Sequence, residues 1–268
     1  MIDGTTTRDH QTLSDHELRF EGRGDPLVYV PGIDGTGALF YTQVPRLAHR
    51  FRVATYRLRD SASSMDDLVD DLAHIVEQAA PGDQPVTLVA ESFGGALAMS
   101  FALRHRALVQ SMIVLNSFAR FRDPWQLQVA MGGMRVLPRS VTRQLQRLSA
   151  GRQHSPTTLS DDIRRSEQLR RTATHLGYLN RLRILSRYDV REQLPHLSVP
   201  TLYLAADQDS LIPSVQQANF MAARVPGADV RILSGHGHAS FLAPDVDVNR
   251  LMHEWHTSRS VVPATAPA

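Results

Sequence analysis

The stretch that decides the reading is LVAESFGGALAMSFAL, residues 88–103. An apolar run enters a serine, two glycines follow at once, and a second apolar pattern begins. PVTLVAE (85–91) has the length and composition of a buried strand, and GALAMSFALRHR (95–106) that of the helix behind it. Ser92 then falls on a sharp strand-to-helix turn, at the sheet edge where open α/β folds bind ligands. A tight turn at that edge projects a hydroxyl away from its own backbone. Ala90 and Gly94 flank it, and both are expected to be small because strand and helix nearly touch there. The helix that follows directs unpaired backbone N–H groups toward the same place, and the amide of Phe93 is one that could hold a developing oxyanion. The competing reading is that Ser92 merely caps this helix.

A serine hydroxyl is a weak nucleophile without a base, so the rest of the chain must supply partners. RILSGHGHASFLAPD (231–245) reads as a strand followed by a glycine-rich loop carrying His236 and His238. Histidine suits a general base because its pKa lies near working pH. VPTLYLAADQDSLIP (199–213) sets Asp207 and Asp209 just beyond another strand, where a carboxylate could orient an imidazole. PGIDGTG (31–37) follows the strand PLVYV, and the backbone amide of Ile33 is the candidate second oxyanion donor. A phosphate-binding loop is disfavoured there, because neither Gly-x-Gly-x-x-Gly nor Gly-Lys-Ser/Thr is present.

Around these segments, strand-like and helix-like runs alternate. HELRFEG (16–22) and PLVYVPG (26–32) read as a hairpin across a Gly-rich turn, and RVATYRL (52–58) as the next strand. SMDDLVDDLAHIVEQAA (64–80) is an amphipathic helix with Leu68, Leu72, Ile75 and Val76 on one face. Strands are expected at 111–117, 201–206 and 228–234, with helices at 214–225 and 246–258. Repeated β-α-β units predict an α/β fold with a mostly parallel central sheet and helices on both faces. Residues 120–190 break the rhythm with several helical patterns and no convincing strand. The expected organisation is a core of 1–119 and 191–260, a helical cap or lid at 120–190, and a frayed tail at 261–268.

Composition narrows the function classes. The 268 residues are enough to bury roughly 70–75% of the unfolded surface without staples. Cys is absent, which excludes disulfides, thiolate metal sites and cysteine nucleophiles. Lys is absent too, so all 29 basic residues are Arg, against 27 acidic residues. A net charge of +2 gives little support for nucleic-acid binding. The charge is unevenly spread, with fourteen Arg against five acidic residues in 120–190. That asymmetry reads either as solvated helix faces or as an entrance that attracts an anionic acyl carrier or a membrane surface. The N-terminal MIDGTTTRDHQTLSDHE lacks the basic and apolar regions of an export signal. No apolar run reaches the roughly 18 residues of a membrane span. A soluble, cytoplasmic protein is expected.

With LVYVPGIDGTGALF, LVAESFGGALA, the two aspartates and the two histidines in place, the chain resembles the α/β-hydrolase superfamily over nearly its whole length. It is similar in particular to the esterase-like branch that includes hydrolase-fold acyltransferases of the phytyl-ester and diacylglycerol type. The resemblance puts Ser92 on the family nucleophile and Asp209, just before Leu-Ile-Pro, on the family acid, with Asp207 as fallback. His238, which opens His-Ala-Ser-Phe-Leu, falls on the family base in preference to His236. Two departures stand out: Ala90 replaces the first glycine of the Gly-x-Ser-x-Gly elbow, and Pro31 replaces a histidine often found before the oxyanion glycine. Dehalogenases and epoxide hydrolases of this fold use Asp as nucleophile, so Ser92 argues against both. The implied activity is serine-dependent hydrolysis of a small-molecule carboxylic ester through an acyl-enzyme, with no cofactor and no metal. An alcohol-accepting acyltransferase, a cofactor-free peroxidase and a ligand sensor on the same fold are the alternatives. Trp125, Leu127, Met131 and Met134 are candidates to line an acyl pocket.

Overall fold

Seven strands form one sheet in the order β1-β3-β2-β4-β5-β6-β7 in a computed structural model that describes residues 17–80, 82, 84–121 and 153–260. They are β1 (Arg19–Glu21), β2 (Asp25–Val30), β3 (Phe51–Thr55), β4 (Val86–Glu91), β5 (Val109–Leu115), β6 (Thr201–Ala206) and β7 (Asp229–Leu233). All neighbours run parallel except β1, which is antiparallel to β3. Parallel strands covered on both faces should be largely apolar, and β2, β4, β5 and β6 are, with their few polar residues mostly at or near the strand ends. Their period-two alternation sorts them into two cores. Val28, Leu88, Val114 and Tyr203 pack with α2 (Met65–Ala79), α3 (Phe93–Arg104) and α6 (Ser214–Ala222). Leu27, Val89, Ile113 and Leu204 pack on the opposite face with α1 (Val44–Leu47) and α7 (Val248–Ser260). The expected α/β architecture with helices on both faces is the one observed.

The expected hairpin is not. β1 and β2 do not pair; β3 lies between them, and the Gly22-Arg23-Gly24 turn crosses the start of β3, where Glu21 sits opposite Val53 and Asp25 opposite Phe51. The reason is burial. β2 is apolar on both faces and takes a strand on each side, whereas β1 is three exposed residues suited only to an edge.

Between β5 and β6 the described residues form α4 (Ser160–Arg170) and α5 (His175–Leu185). They contact the core at several points. The Tyr41 hydroxyl donates to the Asp162 carboxylate at 2.9 Å, and the Ala239 amide donates to the Gln153 carbonyl at 2.8 Å. The buried Gln43 side chain ties the start of α1 to the loop after β7, donating to the carbonyls of Phe241 and Val246 and accepting from the amide of Val248. Trp125, Leu127, Met131 and Met134, the arginines at 135, 139, 143 and 147, and the tail 261–268 lie outside the described residues. No described helix is long and apolar enough to cross a membrane.

Candidate active site

The loops leaving the carboxyl ends of β4, β5, β6 and β7 carry, in turn, Ser92, Asn116, Asp209 and His238. Ser92 has φ 53° and ψ −118°, a left-handed conformation that costs about 1–3 kcal/mol for a residue with a Cβ. Its surroundings enforce it. The Ser92 amide donates to the Leu115 carbonyl at 2.9 Å, and the Ser92 carbonyl accepts from the Ser117 hydroxyl at 2.8 Å and the Gly95 amide at 3.0 Å. Ser92 stands at the cap position of α3, yet its side chain makes no capping bond. The capping reading therefore fails.

Gly94, one of the two positions expected to be small, has a different neighbour from the one expected, and Gly95 beside it is crowded as well. A Cβ on Gly94 would meet the carbonyls of Val30 and Pro31 at the end of β2. One on Gly95 would meet Ser117 and Val114. The ends of β2 and β5 thus lie against the helix start at these two positions.

Of the paired candidates, Asp209 and His238 come together. His238 Nδ1 lies 2.7 Å from Asp209 Oδ2, with both side chains nearly or fully buried. Burial alone would raise the Asp209 pKa. The hydrogen bond and charge of His238, the Ser214 hydroxyl and the Leu211 amide more than offset this, so the carboxyl sits below its ordinary value. Asp209 is thus an anion that accepts from Nδ1–H and leaves Nε2 as the acceptor of the neutral ring. Asp207 is exposed and accepts from the Gly235 amide at 2.7 Å, bracing the loop. His236 faces the other way, with Nδ1 2.9 Å from the Ser155 hydroxyl and Nε2 3.5 Å from Asp245.

Asn116 is a site residue that sequence reasoning missed. It is buried, adopts φ 46°, and its Nδ2 donates to the His238 carbonyl at 2.7 Å and to Ser240 Oγ at 3.2 Å. Its Oδ1 accepts from the Ala206 amide at 2.8 Å. Asn116 thus holds the histidine loop while its neighbour Ser117 holds the serine elbow. The available signal was an amide residue directly after an apolar strand, a type that tolerates the left-handed region. Glu91, buried immediately before Ser92, was also passed over. It accepts from the Gly32 amide at 3.0 Å. Among the described residues, no group of three or more His, Asp or Glu could hold a metal ion.

Residues 25–244 match the model of the alpha/beta hydrolase fold family. The chain belongs to that family. A pimeloyl-[acyl-carrier protein] methyl ester esterase of Aeromonas hydrophila is 30% identical over 236 residues, covering 83% of this chain and 91% of that protein. A candidate carbamate hydrolase, RutD, of Azorhizobium caulinodans is 27% identical over 248 residues, covering 87% and 92%. Among solved structures, a thermophilic esterase from Thermogutta terrifontis superposes with a TM-score of 0.75 at 22% identity, covering 91% of this chain and 93% of that one. That likeness is one of fold.

Proposed function

We propose that this family member hydrolyses carboxylic esters through an acyl-enzyme formed on Ser92. The observation that carries the reading is a strained serine whose side chain makes no capping bond, at the same sheet edge as the loops that carry a buried Asp209–His238 pair. Nε2 of His238 takes the Ser92 proton as Oγ attacks the ester carbonyl, and Asp209 stabilises the imidazolium. The amides of Phe93 and Ile33 hold the oxyanion. His238 then protonates the leaving alcohol, and water activated by the same ring releases the acid. Hydrolytic relatives acting on esters and carbamates support this class of reaction. Ser92→Ala should abolish turnover of a short nitrophenyl ester and labelling by a fluorophosphonate, with Tm within a few degrees of wild type. A variant that keeps a tenth of the wild-type rate removes Ser92 from this role.

Residues 120–190 are read as the cap over this site, and their charge suggests the substrate's carrier. Fourteen arginines against five acidic residues would attract an acyl group delivered on an anionic carrier, the kind of substrate named for the Aeromonas relative. Added salt should then lower kcat/KM steeply for an acyl-carrier-protein ester and barely change it for a neutral ester of the same acyl chain. Equal salt response for the two removes the carrier from the proposal.

A further inference from the structure

We propose that Arg181 and Glu91 are positioning residues that hold the 32–35 turn from opposite sides and so aim the Ile33 amide at the developing oxyanion. The inference rests on the acyl-enzyme reading above.

Three successive peptide units of this turn are pinned. The unit before Gly32 is held by the Gly32 amide, which donates to Glu91 Oε1 at 3.0 Å. The unit after Ile33 is held by the Ile33 carbonyl, which accepts from Arg181 Nε at 2.7 Å. In the middle unit, the Gly32 carbonyl accepts from the Gly35 amide at 2.9 Å, closing a β-turn. A peptide is planar and trans, so its N–H points opposite to its C=O. With the Gly32 carbonyl turned inward to Gly35, the Ile33 N–H is turned outward.

Both holding groups are buried ionisable side chains, which is an expensive way to anchor a loop unless every bond counts. Arg181 is 1% exposed and projects from α5, in the region between β5 and β6. Its planar fork reaches three acceptors: the Ile33 carbonyl, the Asp34 carbonyl at 3.1 Å and the Asp60 carboxylate at 3.2 Å. A lysine could not span them, because it lacks the fork. Glu91 comes from the end of β4, one residue before Ser92. The glycines of PGIDGTG follow from this arrangement. A Cβ on Gly32 would fall on the Glu91 carboxylate, and one on Gly35 would fall on the Arg181 guanidinium. The turn is bare where the two side chains lie against it.

The test separates aiming from folding. Arg181→Lys should lower kcat for a nitrophenyl ester by about tenfold to a hundredfold, less than losing an oxyanion donor outright. KM should stay within about twofold. The Ki of a trifluoromethyl ketone, which forms a tetrahedral adduct on Ser92, should rise by the same factor as kcat/KM falls. Inhibition by the product carboxylate should stay constant. A role in folding alone would instead lower Tm and active fraction while leaving kcat per labelled serine unchanged, and that result overturns the proposal. Should Arg181→Lys not fold, Asp60→Asn loosens the same guanidinium from a partly exposed position. It should lower kcat by about two- to fivefold with the same split between the inhibitors, and an unchanged kcat overturns the proposal. Wild-type protein that is not labelled at Ser92 defeats the acyl-enzyme reading itself. Labelled wild type with both inhibitors shifted alike in the variants defeats only the clamp.

Discussion

The loops after β6 and β7 each carry one residue type twice at a spacing of two, and the structure gives the members of each pair different surroundings. Asp209 and His238 are buried against each other, whereas Asp207 is exposed and His236 turns to Ser155 and Asp245. Residue type and spacing are the same within each pair, so the difference lies in burial and in which strand end each side chain leans on. Chemistry on this edge is set by environment. The sharpest way to break the comparison is to remove the members one at a time. His238→Ala and Asp209→Asn should each lower kcat for a nitrophenyl ester by roughly a thousandfold. His236→Ala and Asp207→Asn should cost less than about tenfold. The reverse ranking in either pair, read from steady-state kcat, would assign the roles to the wrong partners.

A second contrast sets Asp209 against Glu91, two buried carboxyls whose pKa values move in opposite directions. Glu91 rises from its ordinary 4.5 to about 7, through burial first and then the negative charge of Asp34. His238, Arg170 and the Gly32 amide pull it partly back. The native state thus keeps a proton that the unfolded chain releases, and stability falls as pH rises from about 4.5 to about 7. Asp209 works the other way: its contribution is present above its unfolded pKa and is lost as pH falls through the lower folded one. Glu91→Gln imitates the protonated form and keeps an acceptor for Gly32. Its stability relative to wild type should therefore climb between pH 5 and pH 8, by on the order of 3 kcal/mol. A difference that is flat or shrinks with pH, by urea titration, would show that Glu91 is ionised and well paired.

What could be read from sequence follows the same division between local pattern and long-range contact. The parallel strands were legible because apolar runs covered on both faces have a local signature. The elbow was legible because Ser92 and its glycines are contiguous. Asp209 and His238 were separable from their neighbours only through the residues that follow them, a matter of resemblance rather than spacing. The hairpin misled because local turn signals cannot reveal that β3 enters between β1 and β2. Asn116 and Arg181 were missed for a related reason. Their bonds reach residues 122 and 148 positions away, and neither departs from ordinary helix or loop composition. Glu91 did carry a signal, a lone charge ending the apolar strand VTLVAE beside the nucleophile.

The smallest expected effect concerns what His236 does instead of catalysis. Its ring joins the loop after β7 to Ser155, and the Gly237 amide donates to the same hydroxyl at 3.3 Å. These bonds, with the Gln153 carbonyl accepting from Ala239, dock the segment at 153–155 beside His238. If His236 serves only this docking, its loss should appear in stability and should depend on Ser155. His236→Ala should destabilise by about 1 kcal/mol, the net worth of one hydrogen bond. Ser155→Ala should cost somewhat more, because it also leaves the Gly237 amide without its acceptor. In the double variant the two losses should overlap by about 0.5–1 kcal/mol, since either change already breaks the shared bond. Strict additivity, read from urea titrations of the four proteins, would mean that His236 acts through Asp245 rather than through Ser155. Thr157 donates to that same carboxylate at 2.7 Å, so Thr157→Val would then couple to His236 instead.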